Sequence, residues 1–161
     1  MNILILSDTH FRRGFSLGSE FLELIPRSDM IIHCGDFTGI EFYNFLNSSG
    51  KLTAVKGNND HELRNILPAE THIELEGRKI TILHGHLCSL SAVHLKYDSS
   101  DIIIHGHTHH PLIEDLNGKL ILNPGSLTMN RYAENNSFMT LYLKKSEKPQ
   151  AKIHYLNSRG T

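Results

Sequence analysis

Five short apolar runs each end in side chains able to bind metal, and this coincidence constrains the chain more than any other feature. Residues 3–6 run into Ser7-Asp8-Thr9-His10, and residues 31–34 into Gly35-Asp36. Residues 54–56 run into Gly57-Asn58-Asn59-Asp60, and residues 80–83 into His84-Gly85-His86. Residues 102–104 run into His105-Gly106-His107-Thr108-His109. Such runs, bounded by glycine and polar residues, read as strands buried on both faces. A lone Asp after a strand is ordinarily a turn or cap residue, and a lone His there is ordinarily satisfied by hydrogen bonds. Five such ends in one chain outweigh that reading, because ligand sites in open α/β sheets form outside the carboxyl ends of the strands. The 12 histidines, nearly as many as the 16 Lys and Arg together, point the same way, since imidazole is the commonest side-chain metal ligand.

The remaining pattern predicts the frame. Helical spacing marks residues 19–25, stopping before Pro26, then residues 40–46, and residues 89–97 with Ser89 or Ser91 as N-cap. Hairpins are expected around Glu76-Gly77-Arg78 and around Asn117-Gly118, the stronger turn signal. Residues 138–143 and 152–156 complete about ten strands, more than one ordinary sheet holds. The expected fold is therefore α/β, with two packed sheets and helices outside, in a single domain spanning residues 1–161.

Composition excludes several classes. A formal charge of −1 gives no global field for nucleic acid or an anionic membrane. The two cysteines, Cys34 and Cys88, form no C-x-x-C pair, so a disulfide framework is not expected. The first ten residues lack the positive start and longer apolar stretch of a signal peptide, and no run approaches the length of a membrane span. A cytoplasmic protein is the expectation.

The ordered set Asp8-Thr9-His10, Gly35-Asp36, Gly57-Asn58-Asn59-Asp60, His84-Gly85 and Gly106-His107-Thr108-His109, extended by Asn123-Pro124-Gly125-Ser126, resembles the calcineurin-like metallophosphoesterase superfamily, in particular its small single-domain phosphodiesterases. The resemblance implies a four-layer α-β-β-α sandwich. It implies that Asp8, His10, Asp36 and His109 bind one divalent ion and that Asp36, Asn58, His84 and His107 bind a second, with Asp36 bridging. The implied activity is hydrolysis of a phosphate ester, and of a phosphodiester in the small single-domain branch, by metal-activated hydroxide attack on phosphorus. The mixed imidazole, carboxylate and amide set suits Mn²⁺, the favoured ion, and also Fe²⁺, Co²⁺, Ni²⁺ or Zn²⁺.

One position departs from the family pattern. Many members carry a histidine where Asn59 stands and use it to protonate the leaving group. Asn59 cannot act as an acid but can hydrogen-bond phosphate, so a substrate-binding and catalytic role falls to it together with Asp36. His61 or His86 could supply the acid instead, and His86 could orient His84. Strand alternation gives His105 the facing of His107 and His109, further back along the chain, with a structural role expected. Arg131 is a candidate phosphate clamp, a reading that Arg12 and Arg13 share, because guanidinium pairs bidentately with phosphate. The Asn123–Ser126 loop is expected beside the metals, supporting His109 and the phosphate.

Expected partners are a small phosphate-ester substrate and, through edge strands, a second copy of the chain; no membrane or nucleic acid is expected. The alternative function is a catalytically weak binding platform of the same fold, as in a retromer subunit, although all seven ligand positions here hold competent donors. A metallo-β-lactamase-like hydrolase would need a His-x-His-x-Asp-His motif, which is missing. A repair nuclease would be expected to show a basic stripe or aromatic stacking motif, and neither is evident.

Overall fold

In the computed structural model, which describes residues 1–129 and 136–156, ten strands form two five-stranded sheets. The first has the order β10-β9-β1-β2-β3, with β1 Asn2–Leu6, β2 Met30–His33, β3 Leu52–Ala54, β9 Asn136–Tyr142 and β10 Gln150–Leu156. The second has the order β4-β5-β6-β8-β7, with β4 Glu70–Leu75, β5 Arg78–Leu83, β6 Ile102–Ile104, β7 Leu112–Leu116 and β8 Lys119–Asn123. In each sheet three neighbouring strands pair in parallel, β1-β2-β3 in one and β5-β6-β8 in the other, and the remaining pairings are antiparallel. Both sheets are thus mixed, and each holds a parallel core whose carboxyl ends lie at one edge.

Period-two alternation sorts the aliphatic side chains into layers. Ile3, Ile5, Ile32 and Cys34 of the first sheet pack against Ile80, Ile82, Ile102, Ile104 and Leu122 of the second, filling the space between the sheets. Their neighbours Leu4, Leu6 and Ile31 face outward, onto Phe21, Phe37, Phe42 and Leu46. Phe21 lies on α1 (Ser19–Leu22), and Phe42 and Leu46 on α3 (Ile40–Asn47). On the far side Ile103 and Ile121 pack with Val93 of α4 (Val93–Lys96) and with Tyr97. The order of layers is helix, sheet, sheet, helix, as expected.

Two helices differ from expectation. The segment after residue 18 breaks into α1 and α2 (Leu24–Arg27), and α2 includes Pro26. Proline is tolerated there because a first-turn N–H has no intrahelical partner to lose. The segment after Ser89 starts as a 3₁₀ turn, Leu90–Ala92, before α4. Ser89 holds the N-cap position of that turn, as expected, but its hydroxyl pairs with that of Ser91 at 2.8 Å and makes no capping bond. Both hairpins form, and Asn117 and Gly118 take φ of 56° and 87°, as a tight two-residue loop requires. Both cysteines are free thiols. Among the described residues no helix is long and apolar enough to cross a membrane.

Candidate metal centre

The carboxyl ends of β1, β2 and β3 bring Asp8, His10, Asp36 and Asn58 from the first sheet. The ends of β5 and β6 bring His84, His107 and His109 from the second. The backbone bends sharply to do this. Asp8, His10, Asp36, His107 and His109 all have positive φ, between 49° and 70°, a region costly for side-chain-bearing residues. Beyond Ile104 these bends also end strand alternation. His105 keeps the outward facing of Ile103 and lines a cavity on the outer face of the second sheet, so it does not share the facing of His107 and His109.

Asp8 sits fully buried. Its Oδ2 accepts hydrogen bonds from the Ser7 hydroxyl at 2.5 Å and the His107 N–H at 2.9 Å. Its Oδ1 is buried without a hydrogen-bond donor and lies 3.1 Å from His109 Nε2 and 3.9 Å from His10 Nε2. Burial works against the charge on Asp8, but the His109 contact, the His84 charge and the Ser7 hydroxyl overcome it and hold the carboxyl below its usual range. Gly106 makes this approach possible: a Cβ there would stand 1.8 Å from Ser7 Oγ.

Asp36 Oδ2 lies between two imidazoles, 3.8 Å from His10 Nε2 and 3.6 Å from His84 Nε2. The Asn59 backbone N–H donates to Asp36 Oδ1 at 2.8 Å and its side-chain amide to Oδ2 at 2.6 Å. Asn58 Oδ1 stands 3.2 Å from His84 Nε2, and the His107 ring meets the His84 ring nearly edge-on at 5.1 Å between centroids.

The imidazole hydrogen bonds fix which ring atoms face this cluster. His84 Nδ1 lies 2.8 Å from the Cys34 carbonyl oxygen, and His109 Nδ1 lies 2.5 Å from that of Met129. A carbonyl can only accept, so each Nδ1 carries a proton and each ring turns its Nε2 inward. Those nitrogens face Asn58 Oδ1 and Asp8 Oδ1. Burial also lowers the pKa of His10 below its usual value despite the nearby Asp36 and Asp8, favouring a ring with a lone pair to offer. Ring nitrogens that converge with carboxylate and amide oxygens form a donor set that fits divalent cations. Two overlapping groups have donor atoms all within 4.8 Å of one another: Asp8, His10 and His109, and Asp8, Asp36 and His84. Asp8 therefore reaches toward both groups, alongside Asp36.

A sequence model of the calcineurin-like phosphoesterase superfamily domain matches residues 1–146. The chain belongs to this superfamily. A probable metallophosphoesterase of Methanocaldococcus jannaschii is 38% identical over 138 residues, covering 81% of this chain and 70% of that one. A phosphodiesterase of the same organism is 30% identical over 143 residues, covering 78% and 83%. Among solved structures, Vps29 of Entamoeba histolytica complexed with zinc has a TM-score of 0.78 at 26% identity, covering 96% of this chain and 99% of its own.

The structure thus brings the seven expected side chains to one edge of the two sheets, with His107 beside the His84 ring and outside both groups of converging donor atoms. Arg131 lies outside the described residues, and Arg12 and Arg13 are exposed on the loop after His10. His61 is exposed. His86 comes within 5.2 Å of the His84 ring and 6.3 Å of His107, between centroids, but does not orient His84; the Cys34 carbonyl does. Three supports surround these side chains, of which the Asn123–Ser126 loop is the one expected from the sequence. Asp60, 2% exposed, accepts the backbone N–H groups of Asp36, Gly57 and Thr38, each at 2.8 Å, and so ties the β2 loop to the β3 loop. The Asn123–Ser126 loop braces the centre from behind, with Ser126 Oγ donating to the Asp8 carbonyl at 2.7 Å and Asn123 Nδ2 to Thr108 Oγ1 at 3.0 Å. The Met129 carbonyl that fixes His109 is backbone, which no side-chain motif records.

Proposed function

We propose that the seven side chains hold two divalent metal ions and that the protein hydrolyses a phosphodiester. Asp8, His10, Asp36 and His109 would hold one ion, and Asp36, Asn58, His84 and His107 the other. The observation that carries this reading is the convergence of His84 Nε2 on Asn58 Oδ1 and of His109 Nε2 on Asp8 Oδ1, with both Nδ1 protons committed to carbonyls. When bound, such ions supply Lewis acidity toward the phosphoryl group and an activated water at neutral pH.

The protein's own groups would orient and hold. Asn59 uses one amide hydrogen on Asp36 Oδ2, fixing the carboxylate between His10 and His84. Its second amide hydrogen is available to a phosphoryl oxygen, which gives Asn59 its substrate-binding role. Asn59 carries no acidic proton for a departing alkoxide, so esters with stable leaving groups should turn over faster. The phosphodiesterase among the relatives supports the diester class. Mn²⁺ is the favoured ion for assay. The test is a metal-reconstituted comparison of bis-p-nitrophenyl phosphate with p-nitrophenyl phosphate. Mn²⁺-dependent cleavage of the diester, abolished by Asp36→Asn and by His84→Ala, is expected. Equal rates on both esters would overturn the diester preference.

The likeness to a zinc-bound Vps29 favours a second reading, a metal-binding platform with little turnover. Mn²⁺ or Zn²⁺ binding by calorimetry with no diester cleavage at any metal loading would select it over hydrolysis.

A further inference from the structure

A cavity of about 520 Å³ opens on the outer face of the first sheet, at the edge where the metal centre lies. Two segments that build the centre also wall this cavity. Phe11 directly follows His10, and Thr128 directly precedes Met129, whose carbonyl holds His109. The Thr128 hydroxyl donates to the Thr9 carbonyl at 2.8 Å and joins the two segments. Strand register puts more of the lining at the same edge. Tyr155 and Leu156 end β10, Leu156 pairs with Asn136 at the start of β9, and β9 runs antiparallel to β1, so all three lie at the carboxyl end of β1.

Three aromatic rings line the cavity. Phe21 is buried and packs edge-on against Phe138 with centroids 5.3 Å apart, Phe11 meets Phe42 edge-on at 5.0 Å, and Tyr155 is 53% exposed. Leu17, Leu127 and Leu156 add aliphatic surface. The polar members, Ser16, Ser19, Thr128 and Asn136, are uncharged, and no charged side chain occurs among the described residues of the lining. The neighbouring centre, with its carboxylates and imidazoles, is built for ions. A cavity of this size with neutral, partly aromatic walls is built for an uncharged organic group.

We propose, resting on the phosphodiesterase reading above, that this cavity is the subsite for one ester group of the substrate and that the group it takes is an uncharged aromatic ring. A flat ring gains from burial against Phe11, Phe21 and Tyr155 what a short alkyl group cannot. The hydroxyls and the Asn136 amide accommodate polar atoms on the edge of that ring. A charged ester group is disfavoured because neutral walls replace its hydration poorly.

The probes are diphenyl phosphate and diethyl phosphate, titrated into the full ¹⁵N-labelled, Zn²⁺-loaded chain and followed by amide chemical shifts. Diphenyl phosphate should bind about tenfold tighter, through the extra apolar area its ring buries. It should also give saturable shifts at residues 16–21, 127–128, 136 and 155–156 that diethyl phosphate does not. Gly18→Trp fills the cavity from its lining; a Cβ at Gly18 meets nothing within 4 Å, and its φ of −59° suits any residue. This variant should bring diphenyl phosphate down to the level of diethyl phosphate and leave diethyl phosphate unchanged. Tyr155→Ala, which removes an exposed wall, should weaken diphenyl phosphate alone. Because the readout is binding, a chain that seats the ring but cleaves no diester would refute hydrolysis and keep the subsite. Diester cleavage without shifts in these segments would refute the subsite and keep hydrolysis. Equal affinity for the two esters in the wild-type protein, or no saturable shift in the cavity segments, would overturn the proposal.

Discussion

Asp60 and His33 do no chemistry in the proposed reaction, yet each ties the site to the stability of the chain. The Asp60 carboxylate meets three backbone N–H groups, and an asparagine offers only one acceptor oxygen in its place. Asp60→Asn should therefore cost about 1–3 kcal/mol in urea unfolding and weaken metal binding by freeing the Asp36 loop. His33 is fully buried, stacked on Phe37 with ring centroids 3.5 Å apart, and accepts the Gly35 N–H at Nδ1 while Nε2 meets Thr9 Oγ1 at 3.2 Å. Burial pushes its pKa from 6.5 down to about 3. Between those values the unfolded chain binds a proton that the folded chain refuses, so this contribution to stability is complete above the unfolded pKa and is lost as pH falls. From pH 6.5 to about pH 5 the wild-type protein should lose about 1.5 kcal/mol more than His33→Gln, measured by urea unfolding at each pH.

At the scale of elements, sequence pattern and structure agree where a local rule governs. Four of the five strand ends were legible because burial leaves aliphatic runs, whereas β3 is a half-buried edge strand marked mainly by the Gly57–Asp60 run after it; both hairpins were legible because their turns need residues tolerant of positive φ. The seven proposed ligand positions were legible as an ordered set. Their supports were less so: the Cys34 and Met129 carbonyls are backbone atoms, and the outward facing of His105 depends on where β6 stops. The break between α1 and α2 was hidden because proline usually ends a helix, and here it sits inside a first turn. The junction of β6 with its loop gives a sharp test. Gly106→Ala would drive a Cβ to within 1.8 Å of Ser7 Oγ and 2.7 Å of Asp8 Oδ2. It should lower unfolding stability by about 2 kcal/mol and abolish Mn²⁺ binding in calorimetry, since the strained partner is the Asp8 carboxylate itself.

For the whole molecule, the two sheets share an aliphatic interior but meet in polar contact at the edge where their parallel strands end. Cations held there would clasp one sheet to the other, and binding only to the folded chain raises stability by mass action. Mn²⁺ at a hundredfold excess over its dissociation constant should add about 2.7 kcal/mol, seen as a rise in melting temperature that a chelator reverses and that Asp8→Asn lacks. The left-handed backbone at Asp8, His10, Asp36, His107 and His109 sets this clasp against the comfort of the chain. Without metal, His107→Gly should melt higher than its parent, by up to about 1 kcal/mol in stability, because glycine rests easily at φ 70°. A descendant that gave up its ions would be free to drift toward glycine at these bends, becoming sturdier as it fell silent.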